Sequence, residues 1–114
     1  MIRFKFDPFK LVVAVAHDLY PSVEADVMFC SPEKAELGTT DFGPRVPVIL
    51  VSVDVPVGMA PQILAHEIAH VAVGFKAGHG PKWKKAMKDI HREYQKRLMA
   101  LAKATGMKPF KPIK

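Results

Sequence analysis

His66-Glu67-Ile68-Ala69-His70 is the stretch whose residue types and spacing could do chemistry. In a helix over residues 60–75 the two histidines lie one turn apart on one face. At about 100° per residue they project only about 40° from each other. Two imidazoles so placed can reach one cation, and Glu67 beside them can hold a water next to it and take its proton. This HExxH spacing predicts a zinc-dependent hydrolase. A catalytic zinc site usually takes three protein ligands and keeps one position open. His79 leads the candidates for the third, because Gly74 and Gly78 let the chain reverse and His79 stands at the mouth of the next helix. A carboxylate on that helix, Asp89 or Glu93, is the competing choice.

The surrounding elements must position these groups. Pro61 suits the first turn of the motif helix, which runs from about Ala60 to Phe75. Leu64, Ile68, Val71 and Phe75 occupy the side opposite His66, while Ile63 and Val73 flank the histidines. A helix apolar nearly all round is buried, and His and Glu inside it need a cation or hydrogen-bond partners. Gly80-Pro81 opens a long final helix to about Ala104, capped by Gly106. Trp83, Met87, Ile90, Tyr94, Leu98 and Leu101 form its apolar stripe. Lys85, Lys88, Arg92 and Lys96 form a basic one.

Earlier in the chain, residues 1–6 alternate apolar and charged as a short strand or arm would. Pro8 starts a helix from Phe9 to about Leu19, which Pro21 stops; His17 and Asp18 are read as surface or capping groups. Val27 to Cys30 is a strand and Ala35 to Phe42 a weaker one. Val46 to Val55 is the clearest strand, rich in Val and Ile. Pro47 cannot donate to a central ladder, which predicts that this strand lies at a sheet edge or begins at one. The expected fold is α+β: an N-terminal helix, a small sheet of three or four strands, the HExxH helix and a long C-terminal helix. Residues 1–106 are expected to form one domain, followed by a basic, proline-containing tail over 107–114.

Composition narrows the class. With 114 residues, 49% hydrophobic and 25% charged, the chain suits one globular domain with one core. No apolar run approaches the roughly 20 residues of a membrane span, so no membrane partner is expected. The run from Leu11 to Ala16 is too short and lacks the cleavage site of an export signal. Cys30 is the single cysteine, which excludes an internal disulfide, fits a reducing cytoplasmic setting and leaves no thiolate zinc ribbon. Within Val27-Met28-Phe29-Cys30 it reads as a small buried hydrophobe. The net charge of +6 is concentrated from Lys76 onward. Such a basic half suits either a solvated face or a polyanion such as nucleic acid.

His66-Glu67-Ile68-Ala69-His70 followed by Gly78-His79-Gly80-Pro81-Lys82-Trp83 resembles the SprT-like (Spartan-related) family of minimal zincin metallopeptidases. In that family the second segment reads roughly Gly-His-Gly-x-x-aromatic. The match is close over about residues 62–88. The resemblance implies His66, His70 and His79 as ligands of one zinc ion and Glu67 as catalytic base. Two other patterns fit less well. Thermolysin-like enzymes have an aspartate four residues beyond the ligand glutamate, where Arg97 stands here relative to Glu93. A metzincin would need histidine at position 76, which is Lys.

The reading is a zinc metallopeptidase acting on a protein or peptide substrate, with Glu67 moving the proton from water to the leaving amine. An extended substrate could add beside the Val46–Val55 strand. Tyr94, His91 and Tyr20 are the candidates for stabilising the developing oxyanion. The alternative is a basic nucleic-acid-binding protein with a structural or vestigial metal site, using Lys85, Lys88, Arg92 and Lys96.

Overall fold

A computed structural model describes residues 1–2 and 6–106. The expected tail over 107–114 lies outside the described residues. So does half of the expected N-terminal arm, residues 3–5, while Met1 and Ile2 are exposed.

Helix α1 spans Pro8–Leu19. Asp7 caps it, its Oδ1 accepting from the backbone N–H of Phe9 at 3.0 Å and of Lys10 at 3.3 Å. These are two of the donors a helix start leaves unpaired. Pro8 needs no such partner. Three strands follow: β1 (Asp26–Cys30), β2 (Gly38–Asp41) and β3 (Val48–Ser52). Then come α2 (Ala60–Val73), a 3-10 turn (Phe75–Ala77) and α3 (Pro81–Thr105). Gly106 ends α3 in the left-handed conformation, as its C-cap position predicts. The fold is α+β, with three helices and a small mixed sheet.

The sheet order is β1-β3-β2, with β3 parallel to β1 and antiparallel to β2. This corrects the edge placement of the Val/Ile-rich strand: β3 is central. Pro47 does not interrupt the ladder because it precedes the strand and contributes only its carbonyl, which accepts from the N–H of Asp26 at 2.9 Å. The strand is also shorter than the apolar run suggested. Val53 and Asp54 are exposed beyond its end, and the N–H of Asp54 turns back onto Ser52 Oγ. The expected strand from Ala35 likewise shrinks to four residues.

Helix α2 touches α1, α3, β2 and β3, so the core is built around it. Ile49 and Val51 of β3 are fully buried and meet Leu64 and Ile68 of α2, Val12 and Val15 of α1, and Ile90 and Leu98 of α3 in one cluster. Two expectations fail at the periphery. Phe75 lies past the end of α2, 74% exposed, and meets Phe42 edge-on at 5.6 Å rather than packing in the core. Cys30 is only half-buried, because it closes an edge strand whose Val27, Met28 and Phe29 are exposed.

The contact between α2 and β2 sets the site. Alternate strand residues share a face, so Gly38 and Thr40 both look toward α2. A Cβ on Gly38 would stand 2.5 Å from Ile63 Cγ2 and 3.2 Å from the Leu50 carbonyl oxygen. The glycine therefore permits the close approach of strand and helix. Gly38→Ala should lower stability by about 1–3 kcal/mol through overpacking. In a denaturant double-mutant cycle with Ile63→Ala, the loss should shrink once the clashing methyl is gone. Additive losses would mean that this contact does not fix the strand.

Candidate metal centre

His66 and His70 stand on the same face of α2, and Glu67 stands between that face and the sheet. His79 comes from the reversal between α2 and α3. That reversal depends on Gly74 at φ 90° and Gly78 at φ 52°, ψ −136°, backbone states that side chains strain to adopt. The carbonyl of Ala77 then accepts from the Gly80 N–H at 3.0 Å, closing the turn around His79.

The three imidazoles converge through one atom type. The Nε2 atoms are 3.3 Å apart for His66–His70, 3.0 Å for His70–His79 and 3.2 Å for His66–His79. Tetrahedral nitrogen ligands at zinc bond lengths lie about 3.3–3.4 Å apart, close to this triangle. Protons on Nδ1 would leave three lone pairs aimed at one point, an arrangement that repels itself and that a cation would satisfy. Desolvation by burial lowers the pKa of His66, with the Glu67 carboxylate opposing and His79 adding to the shift. His70 is lowered by desolvation and then by the neighbouring His66 and His79. Both shifts favour the neutral, ligating form. The three histidines can hold a metal ion.

Trp83, one turn into α3, backs the cluster. Its ring centroid lies 4.7 Å from that of His66 and 4.6 Å from that of His79, and it stacks on His70 at 5.4 Å. Its indole N–H donates to the carbonyl of His66 at 3.3 Å. In the sequence Trp83 reads as part of the apolar stripe. Its place against all three histidines needs the α2–α3 crossing to be seen.

Glu67 is 7% exposed. Thr40 of β2 donates its hydroxyl to Glu67 Oε1 at 2.9 Å. The other oxygen, Oε2, lies 3.8 Å from His66 Nε2, toward the histidines. Sequence reasoning missed Thr40, since no local pattern marks a partner 27 residues away.

The competing carboxylates are engaged elsewhere. Asp89 accepts from Lys85 Nζ at 2.6 Å, and Glu93 accepts from Arg97 Nε at 3.0 Å. Arg97 also donates to Asp18 of α1 at 2.6 Å, so Asp18 and Arg97 tie α1 to α3. His17 is exposed in the last turn of α1. Tyr94 is buried in the core, where desolvation raises the pKa of its phenol, and Tyr20 caps the end of α1. His91 is half-buried on α3. Lys85, Lys88, Arg92 and Lys96 are exposed along α3, Lys85 in its pair with Asp89. Among the described residues no helix is long and apolar enough to cross a membrane.

The α+β core gathers three histidine nitrogens, from a helix and the turn after it, that can hold one metal ion. Residues 57–103 match the model of the SprT-like family, and this stretch holds His66, Glu67, His70, His79 and Trp83. No curated protein and no solved structure matches the chain.

Because the folded chain resists protonating His66 and His70, acid should weaken the metal-free protein. Above the ordinary imidazole value of 6.5 both states bind the same protons at these groups. As pH falls from there through the lowered folded values, the unfolded chain takes up more protons and stability drops. Thermal melts with chelator at about pH 7.5 and about pH 5.5 should show a lower midpoint in acid. The drop should be smaller in His66→Gln/His70→Gln. An equal drop in that variant would assign it to other groups.

Proposed function

We propose that the protein is a zinc-dependent peptidase. The observation that carries this reading is the pairing of the three converging Nε2 atoms with a buried carboxylate whose free oxygen faces them. His66, His70 and His79 would hold the ion through Nε2. Zinc bound there supplies a Lewis acid that acidifies water and polarises a carbonyl oxygen.

The chain's own residues supply the rest. Glu67 Oε2 accepts a proton from the attacking water as its oxygen bonds to the carbonyl carbon. The same oxygen delivers that proton to the amide nitrogen as the C–N bond breaks. Thr40 occupies Oε1, which fixes the carboxylate's orientation and directs Oε2 toward the reacting water. Trp83 confines the three rings from behind.

The substrate strand belongs beside β2, not β3, because β3 is flanked on both sides. β2 pairs with β3 alone among the described residues, and it carries Thr40 over Glu67. An extended peptide pairing along β2's other edge would run past the histidines.

Metal content and hydrolysis test the reading together. Wild-type protein purified without added metal should hold near-stoichiometric zinc and cut casein. Glu67→Ala should keep the zinc and lose the cutting. Equal activity in both would remove Glu67 from the chemistry. Thr40→Val should lower kcat by about tenfold to a hundredfold, the usual effect of removing an orienting hydrogen bond in such sites, with KM and zinc content little changed. Thr40→Ser should restore kcat, since it returns the hydroxyl. A Thr40→Val enzyme with normal kcat would contradict the positioning role.

A further inference from the structure

Beside His66 and Glu67 the surface opens into a cleft of 270 Å³ that the chemistry above does not use. Its walls are Leu37, Met59, Ile63 and Met87, contributed by the approach to β2, the start of α2 and the first turns of α3. Gly38 forms part of its lining, and Gln62 brings the one side-chain amide. Glu67 brings the one charged side chain. Leu37 is 49% exposed, so the cleft leaves apolar surface uncovered next to reactive groups.

We propose that this cleft is a substrate subsite that takes one uncharged, apolar side chain of leucine to phenylalanine size, adjoining the scissile bond. The inference rests on the peptidase reading and deepens it. The volume falls below the roughly 300–1,000 Å³ of sites that enclose a whole small molecule, which suits a single side chain. Apolar walls reward burial of an apolar group without asking for a specific hydrogen bond. Met59 and Met87 are unbranched and polarisable, so they adapt to either an aliphatic or an aromatic occupant. An acidic side chain would meet the Glu67 carboxylate, and no lysine or arginine lines the cleft to pair with it. A basic one would find Glu67 alone, with Oε1 accepting from Thr40 and Oε2 turned toward the histidines, where the proposed proton transfer uses it. Either charge would be desolvated without a partner.

The test measures binding, so it does not depend on turnover. Zinc-loaded full-length protein is titrated with N-acyl amino-acid hydroxamates carrying Leu, Phe, Ala, Asp or Lys side chains, and affinities are read by calorimetry. The Leu and Phe compounds should bind at least about tenfold tighter than the Ala, Asp and Lys compounds, as burial of one apolar side chain predicts. Met87→Trp should fill the cleft and erase that advantage while leaving the Ala compound unaffected. Met87→Ala, which needs no extra space, should shift preference from Leu toward Phe. Equal affinities across the series, a preference for Asp or Lys, no binding by any compound, or an advantage that survives both Met87 changes would overturn the subsite. Discrimination among hydroxamates by a protein that cuts no casein would instead leave the subsite standing and sink the peptidase reading.

Discussion

Three imidazole nitrogens held 3.0–3.3 Å apart form the constraint on which the rest of the structure depends. Neutral rings that carry their protons on Nδ1, the ligating tautomer, oppose lone pair to lone pair in that geometry, and protonated rings would oppose charge to charge. The fold must therefore hold the triangle in place by means other than the triangle. It does so with the one-turn spacing on α2, with the glycine-dependent reversal that returns His79, and with Trp83 behind all three rings. A cation converts the shared repulsion into shared attraction, which is the physical reason such a cluster points to metal binding.

The same helix also buries the groups that make the cluster directional. Its opposite side enters the core with Leu64 and Ile68, so α2 cannot rotate without breaking apolar contacts with all its neighbours. Glu67 sits at the seam between helix and sheet, where Gly38 admits the close approach and Thr40 supplies the hydrogen bond. A buried carboxylate with one oxygen satisfied and the other turned toward the histidines has a defined orientation. The core thus fixes α2, and the contact of α2 with β2 sets the orientation of Glu67.

What the sequence made legible follows from the range of each interaction. His66 and His70 share a face through helical periodicity, and Pro8, Pro61, Pro81 and Gly106 mark helix ends through local backbone preferences. Strand order does not follow from local pattern. Pro47 suggested an edge for β3, yet the proline lies just before the ladder and the strand is central. Phe75 fits the apolar spacing of α2, but Gly74 ends the helix first and leaves the ring exposed. Thr40, the methionine-walled cleft and Trp83's contact with three rings arise only where distant segments meet. The family resemblance singled out His79, while its convergence with His66 and His70 is a property of the fold.

X-ray absorption at the zinc edge tests the central claim most directly, since it counts ligands without reference to activity. Zinc-loaded protein should show three imidazole nitrogens at about 2.0–2.1 Å together with a single further light-atom ligand. His79→Ala should reduce the imidazole count by one. A sulfur shell from Cys30, a carboxylate replacing one imidazole, or an imidazole count unchanged by His79→Ala would contradict the three-histidine centre.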